Sequence, residues 1–471
     1  MISCQDSYEF LKGRADMELD IIYADPPYAL GSEVIIRKDG KVDYAKAVDF
    51  MNKWDMPDGA FWEKWFTEAF RSLKHGGYCV MFGIDRQLLI FKYYASLAGF
   101  EEKQSLYWYF ISNFPKATDL SKQLDKALGE ERESVGASKN ARPNSKQENN
   151  LYQAGTVGKE FDITEPSSAL AKKYAGYKYS VAPLKQTNET IMVFKKPTKT
   201  GSFIGDVMAY EAGDATISVG AIDIDGNRVG LAKRTQLGVK ATNGAVYKEY
   251  PQNHVGKDRQ DFMIEVSGRY PAQTFIDEGT AGILDVQGEI TAGKRQEVSN
   301  VGSIWGSDNE DVRMAGYDDL GGVSKILHKC QFEQDDYDLY YYEPKVSGYE
   351  RDAGLDSMKD VMMNRMREDS GEATGLNTEE RFAPRPVKNH HPTLKPISLN
   401  ERVLKLFKTP NPQKICYPFA GSGSEIIGGI KAGFDDWVAC ELNPEYVEIA
   451  HKRIEYWKNA MSTQTTIFDF L

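Results

Sequence analysis

Two stretches near opposite ends of the chain share one grammar. Residues 19–24 read LDIIYA and residues 414–419 read KICYPF, short apolar runs that lead straight into turns: Asp25-Pro26-Pro27-Tyr28 in the first case, Ala420-Gly421-Ser422-Gly423 in the second. A strand that is apolar on both faces needs cover on both faces, which is the condition of a parallel sheet layered between helices. Such a sheet binds its ligands at the carboxyl ends of its strands.

The neighbouring segments fit that frame. FWEKWFTEAFRSL carries Trp62, Trp65, Phe66, Ala69, Phe70 and Leu73 at helical spacing and meets Gly76 and Gly77, which predict a helix stop. YCVMFG then reads as a strand, QLLIFKYYASLAGF as a helix and SLYWYFI as a further strand. After Pro396, SLNERVLKLF places Leu399, Val403, Leu406 and Phe407 on one helical face, and a helix holding Ile426, Ile427 and Ile430 ends near Gly433. DWVACE is a strand, and the last helix has Asn443 as N-cap, Pro444 at its first position, and Tyr446, Ala450, Arg453 and Trp457 down one stripe. Strand and helix alternate at both ends, so the expected fold class is α/β with a doubly wound, mostly parallel sheet.

The middle has a different texture. Stretches such as GASKNARPNSKQENN and WGSDNEDVRMAGYDDLGG are rich in turn formers and poor in apolar residues, whereas ETIMVFKKP, ATISVGAIDID and VSGRYPAQTFID look like strands or packed edges. Four segments are expected: residues 1–114 and 386–460 as two halves of one core, 115–385 as inserted recognition structure, and 461–471 as a tail. At 471 residues the chain exceeds what one hydrophobic core usually spans.

Composition narrows the class. No apolar run approaches the roughly 18 residues of a membrane span, and MISCQDSYEF lacks the basic and apolar regions of a secretion signal, so an intracellular protein is expected. Five cysteines without a CxxC pair and six histidines without ligand spacing predict neither a disulfide framework nor a metal site. A formal net charge of −11 argues against indiscriminate polyanion binding. Between Pro115 and Lys199, however, fifteen Lys and Arg stand against ten Asp and Glu. That local reversal suits an electrostatic footprint on nucleic acid, and equally a solvated basic surface.

Two constellations carry chemistry. In PFAGSGSE, residues 418–425, the glycines at 421 and 423 let backbone approach a ligand, the following helix N-terminus offers free N–H groups, and Glu441 ends the next strand where an acid can bind two ribose hydroxyls. This half suits any nucleoside cofactor. A tight turn alone would use the same glycines, and a dinucleotide enzyme would prefer a third glycine where Ile426 stands. In Asp25-Pro26-Pro27-Tyr28 the prolines fix φ near −65° and leave the carbonyls of Asp25 and Pro26 as acceptors beside one carboxylate and one aromatic face. An exocyclic amine on a planar base needs such a site: two acceptors hold its two N–H groups while a ring stacks on the base.

These motifs resemble those of the amino-group DNA methyltransferases that use S-adenosylmethionine, in the circularly permuted (beta-class) order in which the catalytic motif precedes the recognition region and the cofactor motif comes last. QDSYEFL, NKWD at 52–55, SLKHGGYCVMFG, SNFPKATDLSKQLDK, GRYPAQTFID, EPKVSGYERDAGLD and NHHPTLKPISL are similar to segments of the phage and prophage subgroup. The resemblance implies the class I methyltransferase fold and double-stranded DNA as substrate. It implies that Asp25, Pro26, Pro27 and Tyr28 bind and orient a flipped base. Phe419, Ala420, Gly421, Ser422 and Gly423 would wrap the cofactor, with Glu441 on its ribose hydroxyls. Thr393 and Lys395 in HPTLKP would sit at its methionine end, Lys395 pairing with the carboxylate, and Asp6 would reach its adenine amine. Adjacent His390 and His391 are turn residues on this reading. DPPY is associated in the family more often with adenine N6 than with cytosine N4, and adenine is the expected target.

The tail adds a separate expectation. Gln464, Ile467, Phe468, Phe470 and Leu471 in QTTIFDFL resemble the short peptides that grip a sliding clamp, although a strand packed on the protein's own surface would look the same. Two rival classes remain at this stage: a dinucleotide oxidoreductase, which gives Asp25-Pro-Pro-Tyr28 no role, and a DNA-binding protein with a degenerate core. Sequence leaves open the recognition site, a homodimer on a palindrome and a restriction partner.

Overall fold

The computed structural model describes residues 2–28, 33–44, 58–110, 116–139, 160–240, 260–277, 281, 328–330, 346, 348–363 and 385–468. Ten strands among them build one sheet: β1 (Ile2–Cys4), β2 (Leu19–Ala24), β3 (Leu73–Gly83), β4 (Glu101–Glu102), β5 (Leu106–Tyr109), β6 (Asn188–Lys195), β7 (Thr274–Asp277), β8 (His328–Cys330), β9 (Lys414–Tyr417) and β10 (Asp436–Glu441). The spatial order is β1-β10-β9-β2-β3-β6-β5-β7-β8, with β4 beside β6. All run in one direction except β6, which lies antiparallel between β3 and β5.

The two ends of the chain meet in this sheet. β1 pairs with β10 in the register Ile2↔Ala439, and β2 pairs with β9 in the register Ile21↔Ile415 and Ile22↔Cys416. Alternate side chains then separate into two cores. Ile22, Ala24, Cys79, Met81, Met192, Phe194, Cys416 and Cys440 pack under α1 (Ser7–Lys12), α2 (Gly59–Ser72) and α3 (Leu88–Ala98). Ile21, Tyr23, Val80, Phe82, Ile191, Val193, Ile415 and Tyr417 pack on the other face. There they meet α5 (Ile397–Leu406), α6 (Ser424–Lys431) and α7 (Pro444–Phe468); α4 (Gly348–Asp352) comes before these in the chain. LDIIYA is buried at all six positions, as its doubly apolar pattern requires.

Several expectations change. The helix over 59–72 ends at Ser72, and Gly76 and Gly77 lie inside β3. A Cβ at Gly76 would come within 2.5 Å of the Ser218 carbonyl and one at Gly77 within 2.7 Å of the Asp20 carbonyl, so these glycines admit neighbouring backbone instead of stopping a helix. The boundary at 115 does not separate core from insertion, because β6, β7 and β8 all belong to the sheet. β6 is buried along ETIMVFK, and that apolar run draws it into the centre. ATISVGAIDID forms no strand; it contributes one isolated bridge, His75↔Ile217. Other described parts of the middle include helices Leu120–Leu128, Ala169–Lys173 and Phe203–Glu211 and separate antiparallel strand pairs, such as Ser134–Lys139 with Glu160–Thr164 and Val229–Lys240 with Gln260–Arg269.

The expected break at 461 is absent. Backbone helix continues through Phe468, since neither glycine nor proline interrupts NAMSTQTTIF. Side chains from 463 onward, Phe470 and Leu471 lie outside the described residues, as do NKWD at 52–55, WGSDNEDVRMAGYDDLGG and most of GASKNARPNSKQENN. No described helix is long and apolar enough to cross a membrane.

Candidate active site

Topology gathers the site at one edge. β1, β10, β9 and β2 are adjacent and parallel, so the residues that follow them, Asp6, Glu441, Phe419 to Gly423, and Asp25, emerge along the same carboxyl rim. β6 runs the other way, so its beginning comes to that rim, with Thr190 opposite Gly83. Glu189 therefore arrives beside Asp25.

The Asp25 carboxylate is largely buried and bonded at both oxygens. Lys395 Nζ donates to Asp25 Oδ1 at 2.7 Å and Oδ2 at 2.6 Å, and lies 3.4 Å from Glu189 Oε2. The side chains of Lys395 and Glu189 are 3% and 2% exposed. The Tyr28 hydroxyl is 2.9 Å from Asp25 Oδ1 and 3.1 Å from Glu189 Oε2, and its one proton serves one of them at full strength at a time. Lys395 Nζ also stands 4.9 Å over the Tyr28 ring and 5.1 Å over the Phe82 ring. Burial, then the Asp25 charge, holds the Tyr28 phenol well above its usual range, so it remains a donor. Gln87 Nε2 donates to the Pro27 carbonyl at 2.9 Å and fixes the turn.

A third carboxyl completes the cluster. Glu425, buried in the first turn of α6, is pushed up to about 8 by burial and next by the charge of Asp25. That shift favours its protonated form.

The glycine loop is pinned from behind. Gly421 and Gly423 have φ of +48° and +87°, and a Cβ at Gly421 would lie 2.9 Å from His391 Nε2. Gly421 N–H donates to Glu441 Oε2 at 2.8 Å, and Asn443 N–H to Glu441 Oε1 at 2.9 Å. Fully buried Arg453, on α7, donates to the Ser422 carbonyl at 2.6 Å, to Ser422 Oγ at 3.2 Å, to Ser424 Oγ at 3.1 Å, and to the Glu350 carbonyl of α4 at 3.0 Å. Asn389 Nδ2 adds a bond to Ser422 Oγ at 3.1 Å. His391 packs 4.6 Å from the Tyr446 ring, and burial lowers its imidazole to about 4, leaving it neutral.

The sequence model of a family described as DNA methylase matches residues 19–452, from the first residue of β2 into α7. The chain belongs to the DNA methylase family. Among curated proteins none matches it significantly. Three solved structures are similar to it at low identity. M1.HpyAVI in complex with SAM is 11% identical with a TM-score of 0.33, over 96% of this chain and 98% of that one. The cytosine-N4-specific PvuII DNA methyltransferase is 11% identical with a TM-score of 0.34, over 96% and 85%. A Thermus thermophilus protein, described as a DNA modification methylase and complexed with S-adenosyl-L-methionine, is 11% identical with a TM-score of 0.31, over 96% and 93%. None of these decides a target base for this methylase.

In this DNA methylase the structure brings Asp25, Tyr28, Gly421, Gly423 and Glu441 to one rim, and four other expected residues take surroundings that sequence did not indicate. Lys395 does not stand free for a cofactor carboxylate, because its ammonium is held by Asp25 and Glu189. The Phe419 ring, partly buried, stacks on Trp65 at 5.8 Å at the margin of the core beneath α2. Asp6 Oδ1 caps α1, accepting from Tyr8 N–H at 2.9 Å and Glu9 N–H at 3.2 Å, and Thr393 is exposed. Glu189, Glu425, Asn389 and Gln87 were not singled out in sequence. For Glu189 a signal existed: a carboxylate abutting an apolar run, the same signal that marks Asp25.

Proposed function

We propose that this DNA methylase transfers a methyl group from S-adenosylmethionine to the exocyclic N6 of adenine in double-stranded DNA. The supporting observation is adjacency: Asp25-Pro26-Pro27-Tyr28 and the glycine loop end neighbouring parallel strands, with Ile21 opposite Ile415. The order of motifs along the chain is the circularly permuted one, and the described strand pairs between β5 and α5 belong on this reading to the target-recognition region.

The residues present fit the cofactor. Glu441 is held at the strand end by the backbone N–H groups of Gly421, Leu442 and Asn443, and its carboxylate, with acceptor capacity left over, suits two vicinal ribose hydroxyls. Gly421, with no room for a Cβ, presents bare backbone beside it. Ala420 to Gly423 would hold the cofactor through main chain, since the Ser422 oxygen already accepts from Arg453 and Asn389; Phe419 backs the loop against Trp65, and on this reading Asp6 and Thr393 would face the cofactor's two ends. When bound, S-adenosylmethionine supplies a methyl group already activated on a sulfonium, so no base is needed beforehand.

The protein's own part is placement. Asp25 accepts an N–H of the target amine, the Pro26 carbonyl offers a second acceptor, and the Tyr28 ring covers a face of the flipped base. Largely buried Asp25 and buried Pro26 keep water from the amine. Resemblance of Gln464, Ile467, Phe468, Phe470 and Leu471 to clamp-binding peptides supports one further contact, tested by clamp capture before and after deletion of residues 464–471. The reaction itself is tested by incubating protein, labelled S-adenosylmethionine and unmethylated genomic DNA, then identifying the labelled nucleoside by mass spectrometry. N6-methyladenine is expected; label in N4-methylcytosine overturns the assignment of the base.

A further inference from the structure

Lys395 bonds both oxygens of Asp25 and the Tyr28 hydroxyl reaches one of them, so an arriving amine competes with the lysine for the carboxylate, and takes its place best where the lysine moves aside. A buried ammonium without a second anion would resist that displacement strongly. A second anion is present. Glu189 Oε2 lies 3.4 Å from Lys395 Nζ, and Glu189 is fixed at the rim by the β6 ladder, where Thr190 faces Gly83. The same Oε2 is 3.1 Å from the Tyr28 hydroxyl, which also reaches Asp25.

We propose that Glu189 is a positioning residue for methyl transfer: it takes over Lys395, and with it the Tyr28 hydroxyl, when the target amine occupies Asp25. The proposal rests on the methyltransferase reading above. Two carboxylates at 2% and 11% exposure beside one lysine are a costly way to stabilise a core, and an apolar set of the same volume would do it more cheaply. The arrangement gains sense when the lysine has two stations about an ångström apart in reach. Glu189 then acts only through Lys395 and Tyr28 and never touches the base. In its closed station Lys395 also keeps Asp25 paired while no base is bound, so the site rests without a buried unpaired charge.

The test is a double-mutant cycle on the full chain with labelled S-adenosylmethionine and DNA, reading single-turnover rate, DNA dissociation constant and thermal unfolding. Glu189→Gln keeps shape and removes charge; its rate is expected to fall on the order of 100-fold with DNA affinity unchanged. Added to Lys395→Met, it is expected to cause no further fall, because the group it acts through is gone. Losses that multiply independently overturn the proposal, as does a Glu189→Gln protein with wild-type rate. Should Glu189→Gln fail to unfold cooperatively, Glu189→Asp takes its place: a rate between wild type and Lys395→Met is expected, and a wild-type rate overturns the idea. A wild type that methylates no DNA overturns the underlying reading, whereas a methylating wild type with an indifferent Glu189 overturns this proposal alone.

Discussion

Lys395 Nζ sits 2.7 and 2.6 Å from the two oxygens of Asp25, across 370 residues of sequence. This pair joins the turn after β2 to the segment that enters α5, and so ties the first part of the core to the last. It also converts two motifs that look separate in sequence, DPPY and HPTLKP, into one charge cluster with Glu189 and Tyr28. On the proposed function, a carboxylate that rests against a lysine is ordered before its substrate arrives.

Lys395→Met leaves Asp25 and Glu189 buried without their cation. Removing one partner of a buried pair typically costs about 3–5 kcal/mol, and urea unfolding is expected to show a loss of that order. A midpoint equal to wild type would mean that the pair contributes nothing to folding.

Gly421→Ala places a Cβ 2.9 Å from His391 Nε2 on a backbone with φ of +48°. Left-handed backbone costs a non-glycine residue about 1–2 kcal/mol, so a comparable loss of stability is expected. Because the strained loop is the one proposed to face the cofactor, calorimetry is expected to show S-adenosylmethionine binding weakened by about ten-fold, the equivalent of 1.4 kcal/mol. Wild-type affinity would remove Gly421 from the cofactor site.

Glu425 gives a pH signature. Its carboxyl titrates near 4.5 when unperturbed and at about 8 in the fold, raised first by burial and then by Asp25. Between these values the folded chain holds a proton that the unfolded chain has lost. The contribution is fully present below the unfolded value and is lost as pH rises toward the folded one, by up to about 1.4 kcal/mol per pH unit. Glu425→Gln lacks this dependence. The thermal midpoint of the variant minus that of wild type is therefore expected to grow from pH 5 to pH 8, and a constant difference would contradict the buried protonated state.

The α/β class and the strand-end positions of Asp25, Gly421 and Glu441 were legible because each rests on local pattern: doubly apolar runs, glycines at a strand end, an acid at the next; the sharing of one sheet by the two ends followed only from the order of the motifs in the family the chain resembles. What sequence hid was non-local. Nothing in ETIMVFKKP says that the strand runs antiparallel, yet that reversal alone brings Glu189 to the rim. Gly76 and Gly77 read as a helix stop because the backbone they accommodate, at Ser218 and Asp20, is remote or out of phase. Lys395 reads as a ligand for a cofactor carboxylate until Asp25 is seen to hold it. Arg453 was legible as part of a helical stripe, but its four hydrogen bonds to the glycine loop and α4 belong to the tertiary structure.

The central claim is that Asp25 and the glycine loop are two halves of one site, one holding the amine and the other the methyl donor. It is tested most directly by comparing wild type with Asp25→Ala in two measurements on the same preparations: S-adenosylmethionine affinity by calorimetry, and single-turnover transfer of labelled methyl to DNA. The account predicts that Asp25→Ala binds the cofactor with wild-type affinity and transfers no detectable label. Transfer by Asp25→Ala at the wild-type rate would contradict it.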